Sequence, residues 1–297
     1  MMRGSLVAIV TPMTADGSLD LPAWNRLLDF HLREGTEGIV IGGTTGESPT
    51  LSLEEIEELT RRALERCSGK MQVIAGAGTH STSSTVARTR VLSRLGVDGV
   101  MLVTPYYNKP PQEGLFRHFM AAADASAVPL ILYNVPGRTA VDLLPATVAR
   151  LARHPLITAL KDASANLARL RELKSVCPAD FSVLSGDDAT AIEWVGAGAQ
   201  GVISVTANVA PARMREGCAA ALRKDMAAAR AIDGELQALH RDLFVEANPI
   251  AVKWAVARMG LIGPTIRLPL IELPAAQHDI VLRAMRAAGV RLEDQAA

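Results

Sequence analysis

No stretch of this sequence approaches the ~20 consecutive apolar residues that a membrane-crossing helix needs. The segment Met1 to Met13 holds one arginine and an apolar run too short for a secretory signal, with no convincing small-residue cleavage site. Net charge is missing too, since 31 Lys and Arg balance 31 Asp and Glu. Nucleic acid and anionic membrane surfaces select a basic excess, so neither is expected as a partner. Cysteine is scarce: Cys67, Cys177 and Cys218 are odd in number and lack metal-ligand spacing, a pattern expected of reduced thiols in a cytoplasm. Of 6 histidines only His80 falls near an expected strand end, and no His-x-His or His-x-x-x-His pair occurs. No metal is therefore expected. Asp187-Asp188 reads better with Asp188 capping a helix from Ala189 than as a metal site. No glycine-rich dinucleotide fingerprint follows the first strand, and no low-complexity linker interrupts the chain.

What is present is a chain of 297 residues, 49% of them hydrophobic, enough for a large core. Short Val- and Ile-rich runs recur at Ser5–Val10, Gly38–Ile41, Val73–Ala75, Gly99–Thr104, Pro129–Tyr133, Ile157–Lys161, Phe181–Ser185 and Gly201–Val205. Most are apolar on both faces, as strands buried in a parallel sheet are. Helical periods follow them: Ile56, Leu59, Ala63, Leu64 and Cys67 on one face behind a Ser52/Glu55 capping box, then Ala87, Val91, Leu92 and Leu95, then Leu144, Val148, Leu151 and Ala152. Many of the strands start roughly 20–30 residues apart, close to one βαβ unit. Eight such units suggest an α/β fold, a (β/α)8 TIM barrel over residues 1–224. Periodicity alone leaves an open doubly wound sheet possible, because it does not reveal strand order. After about Lys224 the pattern becomes helical, with Asn248 expected as an N-cap and Pro249 as a first helical residue. Residues 225–297 are read as a small C-terminal helical domain.

Barrels gather their chemistry at the C-terminal ends of the strands. There stand Gly43-Thr44-Thr45-Gly46-Glu47, Tyr106-Tyr107, Tyr133 through Thr139, Lys161-Asp162, Ser185 through Asp188, and Ile203 through Thr206. All 3 tyrosines sit at such ends, which is unlike core filling. Taken alone, Lys161 would be a solvated lysine at a sheet edge. Its strand, Ile157 to Leu160, gives it an apolar wall, and desolvation there lowers an ammonium pKa. A fall from ~10.4 to ~7–8 costs the ammonium about 4 kcal/mol. The neutral amine could then attack a keto group, and the resulting imine would draw a proton from a neighbouring carbon without a metal. Tyr133 either packs in the barrel mouth or shuttles that proton. Thr44 and Thr45 follow a Gly-Gly pair that allows close backbone approach, and either cap a turn or hold a carboxylate. Arg138, after Pro-Gly, is an ordinary loop arginine unless a second carboxylate lies beside it.

These strings together resemble the dihydrodipicolinate synthase family, within the N-acetylneuraminate lyase-like class I aldolases. The similarity runs from Gly4 to about Gly289 and includes Leu184-Ser185-Gly186-Asp187-Asp188, Gly201 through Val205, and Asn248-Pro249. The resemblance implies condensation of pyruvate with aspartate semialdehyde in lysine and diaminopimelate biosynthesis, with no cofactor. It implies an imine on Lys161, Tyr133 as acid/base in a relay with Thr44 and Tyr107, and Thr45 on the pyruvate carboxylate. The backbone near Gly186 and Ile203 would line the site, and Arg138 would hold the semialdehyde carboxylate. Tyr107 would reach in from a neighbouring subunit of a dimer-of-dimers tetramer. An N-acetylneuraminate lyase or keto-sugar-acid aldolase would share Lys161 and Tyr133; Arg138 and the Tyr106-Tyr107 pair favour the synthase. A metal-dependent aldolase and a non-catalytic keto-acid-binding barrel are the remaining alternatives. The lysine-inhibited members use polar residues, including histidines and a glutamate, where this chain has Leu53, Ile56, His80 and Ser84, although Ser48 and Tyr106 are retained. Losing the carboxylate opposite the effector's ammonium removes a contact worth about 1.5–3 kcal/mol. Lysine feedback is expected to be weak or absent, and a lysine titration giving a micromolar inhibition constant would contradict this.

Overall fold

The computed structural model describes residues 2–292. Eight parallel strands close into a barrel in chain order: β1 (Gly4–Ala8), β2 (Gly38–Ile41), β3 (Gln72–Gly76), β4 (Gly99–Val103), β5 (Leu130–Asn134), β6 (Ile157–Asp162), β7 (Ser182–Ser185) and β8 (Gly201–Ser204). Each lies within about a residue or two of its expected run, and closure disposes of the open sheet. Alternation explains why the strands read as apolar on both faces. Leu6, Ala8, Val40, Ile74, Met101, Ile131, Ala159, Leu184 and Ile203 fill the barrel interior. Their neighbours Val7, Ile39, Val73, Val100 and Leu160 pack outward with the helices.

Around the barrel run α1 (Leu21–Arg33), α2 (Leu53–Cys67), α3 (Thr82–Leu92), α4 (Gln112–Asp124), the short α5 (Pro136–Thr139), α6 (Pro145–Leu151), α7 (Leu167–Val176), α8 (Ala191–Gly196) and α9 (Pro211–Leu222). α10 (Met226–Asp242), α11 (Ile250–Arg258) and α12 (Ala275–Ala287) follow. The Ser52/Glu55 capping box is present, and Ile56, Leu59, Ala63 and Cys67 are buried beneath α2. The inward face of α3 differs from expectation. Thr85, Thr89 and Leu92 are buried there, whereas Ala87 is exposed and Val91 half-buried. Polar contacts decide this face, since the Thr85 hydroxyl accepts from the Thr79 amide at 2.9 Å. Leu144 precedes α6 as an exposed N-cap residue rather than a core position.

The closing seam joins β1 to β8, with Leu6 opposite Ile203. Gly201 is needed there, because a Cβ would stand 2.0 Å from the Gly4 carbonyl oxygen. Asn208 staples the seam: its Oδ1 accepts from the Val10 amide at 3.0 Å and its Nδ2 donates to the Ala8 carbonyl at 2.8 Å. No helix among the described residues is long and apolar enough to cross a membrane.

Candidate active site

The register of β5 and β6 sets Tyr133 opposite Lys161 and Asn134 opposite Asp162. Side chains alternate along a strand, so the first pair turns into the barrel mouth while the second turns outward. The outward pair is locked. Asp162 accepts from Asn134 Nδ2 at 3.0 Å and from Arg169 Nε at 2.8 Å, and Arg169 also binds Asp142 at 2.9 Å. This anchorage fixes the strand ends that carry the inward pair.

Lys161 is 4% exposed, and its Nζ stands 4.4 Å from the centre of the Tyr133 ring. Gly186, one strand on, leaves room for it: a Cβ there would come within 3.0 Å of Lys161 Cε and of Ala163 Cβ. Burial lowers the Lys161 pKa from 10.5 to about 8, the Asp188 carboxylate opposing the fall and the Arg138 charge adding to it. Burial pushes the Tyr133 phenol the other way, up to about 12, although the Arg138 charge and the Thr44 hydroxyl pull it back. Near pH 8 about half of the Lys161 amine is therefore neutral, beside a fully protonated phenol. That is the pairing needed for amine addition to a carbonyl followed by proton transfer.

Asp188 is not the helix cap expected from sequence. Its Oδ2 accepts from the Val205 and Thr206 amides, both at 2.9 Å, which ties β7 to the end of β8. α8 begins at Ala191, and it is Asp187 that binds Thr190, at 3.1 Å to the amide and 2.7 Å to the hydroxyl. The Asn248 cap is also corrected. Pro249 occupies the N-cap position of α11, and the Asn248 amide instead donates to Thr45 Oγ1 at 3.0 Å.

A cleft of about 240 Å³ opens over Lys161, bordered by Thr44, Thr45, Tyr133, Arg138 and Gly186. Six of the expected residues thus converge. Two further lining residues, Phe244 and Asn248, come from the segment after α10. Sequence reasoning did not place them in the site; the Asn-Pro step was the one available signal. Ile203 sits one layer down, 1% exposed, in the interior cluster with Tyr133 and Ala8. Tyr107 is not brought to Lys161. It is 89% exposed, with φ of 75°. A larger groove of about 600 Å³ lies where α9 begins and α12 ends, and none of these residues lines it. Convergent titratable groups, not size, mark the site. Among the described residues no three His, Cys, Asp or Glu side chains gather as metal ligands would. Of the positions compared with the lysine-inhibited pattern, Ile56 is fully buried against Gly42, and Leu53 is half-buried. Ser84 is exposed, and His80 stacks edge-on to Tyr106 at 5.2 Å.

Burial of Lys161 has a stability cost with a definite pH window. Its folded pKa lies below the unfolded value, so the penalty is full below about pH 8 and fades as pH rises from there to 10.5. Lys161→Met should raise unfolding free energy at pH 7 by roughly 3 kcal/mol, and by much less at pH 10.5. Urea denaturation at the two pH values checks this; an equal gain at both would refute it.

A model described as the dihydrodipicolinate synthetase family matches residues 1–288. The 4-hydroxy-tetrahydrodipicolinate synthase of Methylococcus capsulatus is 53% identical over 290 residues, covering 98% of this chain and 100% of that protein. Among solved structures, the chloride-inhibited dihydrodipicolinate synthase of Acinetobacter baumannii, complexed with pyruvate, matches with a TM-score of 0.96 at 45% identity. That match covers 98% of this chain and 100% of the other. A monomeric dihydrodipicolinate synthase variant matches with a TM-score of 0.95 at 39% identity, covering 98% of each chain.

Proposed function

The chain belongs to the dihydrodipicolinate synthetase family, and from that premise we infer that it condenses pyruvate with L-aspartate 4-semialdehyde. The product is 4-hydroxy-tetrahydrodipicolinate, and the pathway that of lysine and diaminopimelate. The observation that carries this reading is the buried Lys161 amine over the Tyr133 ring, in a cleft whose other polar groups suit small carboxylic acids.

In the reaction, the neutral Lys161 amine adds to the keto carbon of pyruvate. Loss of water forms a C=N bond, whose positive charge acidifies the adjacent methyl group. Asp188, whose charge favours the cationic form of Lys161, also favours the cationic imine. Loss of a methyl proton gives an enamine, and its carbon attacks the aldehyde of the second substrate. Attack by that substrate's own amine on the imine carbon then closes the ring and frees Lys161. Thr45 holds the pyruvate carboxylate, with the backbone at Gly186 lining the site, and the exposed guanidinium of Arg138 takes the semialdehyde carboxylate. Tyr133 moves the protons. A phenol pushed up to about 12 is not a resting base, so it must pass one proton on as it takes another. Thr44 and Tyr107 supply that relay. The Tyr107 ring, turned to solvent on its own chain, suits delivery into a neighbouring copy. As the family resemblance implies, the working form is a homo-oligomer, a tetramer built as a dimer of dimers, acting in the cytoplasm.

Borohydride added with pyruvate should leave a reduced adduct on the Lys161 peptide, absent from Lys161→Ala. Tyr133→Phe should lower kcat by about 10²–10⁴-fold. Peptide mass spectrometry that finds no adduct on Lys161 would remove the imine mechanism. Finding it with N-acetylneuraminate in place of pyruvate would move the assignment to a sister lyase.

A further inference from the structure

The mechanism leaves one deeply buried pair of charges unused. Glu47 and Lys253 are each 1% exposed and bind each other across 206 residues of sequence. Glu47 ends the loop that carries Thr44 and Thr45, and Lys253 lies in α11. Such a pair is weak evidence for stability, because desolvation offsets the attraction. Its placement calls for another account.

Three features point the same way. First, Glu47 adopts a left-handed backbone, φ of 61°, which glycine would adopt at less cost. Its amide closes the turn onto the Thr44 carbonyl at 3.0 Å, and the Ser48 amide reaches the Gly43 carbonyl at 3.2 Å. A strained glutamate in place of glycine implies that the side chain is needed. Second, both carboxylate oxygens are held from the C-terminal part of the chain. Oε1 takes the Lys253 ammonium, and Oε2 accepts from the Arg267 amide at 3.1 Å. Arg267 is itself fixed, donating to the Gly17 carbonyl at 2.9 Å, the Thr50 carbonyl at 2.6 Å and the Glu55 carboxylate at 2.8 Å. Third, the residues just before α11 grip the same loop a second time, through Asn248 Nδ2 on Thr45 Oγ1 at 3.0 Å. That bond uses Thr45 as an acceptor. Its hydroxyl proton remains free to donate to a ligand.

We propose that the Lys253–Glu47 pair is a positioning device for the keto-acid carboxylate. It holds the Thr44–Glu47 turn closed from behind, so that the Thr45 hydroxyl and the adjacent backbone face the cleft before pyruvate arrives. Neither Lys253 nor Glu47 lines the cleft. The pair acts through the loop, and ordering that loop in advance lowers the cost of binding the first substrate. The inference rests on the reading of Lys161 as the pyruvate-binding amine.

Lys253→Met alone would strand a buried carboxylate and could unfold the protein. The informative variant is Glu47→Gln with Lys253→Met, which removes both charges and keeps an oxygen for the Arg267 amide. Its circular dichroism and Tm should stay close to those of the unsubstituted protein. Pyruvate KM, and the pyruvate concentration for half-maximal borohydride trapping on Lys161, should rise about tenfold, with kcat within about threefold and the semialdehyde KM little changed. A pyruvate KM within about twofold in a folded double variant would overturn the proposal. So would an equal rise in both KM values, or a double variant that fails to fold, since each makes the pair a structural element only. Absence of any adduct in the unsubstituted protein is a separate outcome, which overturns the imine reading and this inference with it.

Discussion

Desolvation of one ammonium organises the mouth of this barrel. Lys161 stands at the end of β6 with apolar neighbours inside the strand ring and the Tyr133 ring across from it. The side chain is almost wholly buried, so the charge that lysine normally carries becomes expensive. The surrounding groups only make sense around that expense. Gly186 has no side chain where one would press on the lysine stem. Asp162, Asn134, Asp142 and Arg169 bind one another on the outer side of the same two strands, and the Asp162 charge adds to the rise of the Tyr133 phenol. Asp188 is held by two backbone amides, which fixes the counter-charge in place without an ion pair.

The same burial acts in opposite directions on the two inward groups. It favours the free base of an amine and the protonated form of a phenol, so both become neutral over a shared pH range. A neutral amine can form a bond to carbon, and a neutral phenol can give a proton and recover one within a chain of hydroxyls. Neither the amine nor the phenol has to carry a charge when the carbonyl arrives. On the reading proposed above, positive charge develops at Lys161 as the imine forms, within the field of the Asp188 carboxylate. That arrangement stabilises charge where it develops rather than where it rests.

The strands were legible because a parallel barrel buries both faces, so each strand announces itself as an unbroken apolar run. Lys161 and Tyr133 were legible because each closes such a run, where alternation sends one of two successive polar residues into the barrel mouth and the next, Asn134 or Asp162, outward. The misreadings share a different cause. Asn248 and Asp188 both look like helix caps to anyone reading local spacing, yet each spends its side chain on a partner from another strand end, Thr45 in one case and Val205 with Thr206 in the other. On α3, buried threonines took the place expected of Ala87. The Glu47–Lys253 contact spans 206 residues and leaves no local pattern at all. Tyr107 stands out in sequence, but the single chain turns it to solvent, and no periodicity could have told which way it faces.

The staple at Asn208 carries a consequence for how the protein is made. β1 leaves the ribosome first, but its second hydrogen-bonding neighbour, β8, is encoded almost 200 positions later. At a translation speed of 5–20 residues per second, one edge of β1 waits roughly 10–40 s for its partner. During that interval Leu6 and Val7 belong to an open, apolar strand edge, the kind that pairs with other chains. The contact that closes the ring thus joins parts of the chain far apart in sequence, the kind of pairing whose loop-closure entropy slows folding.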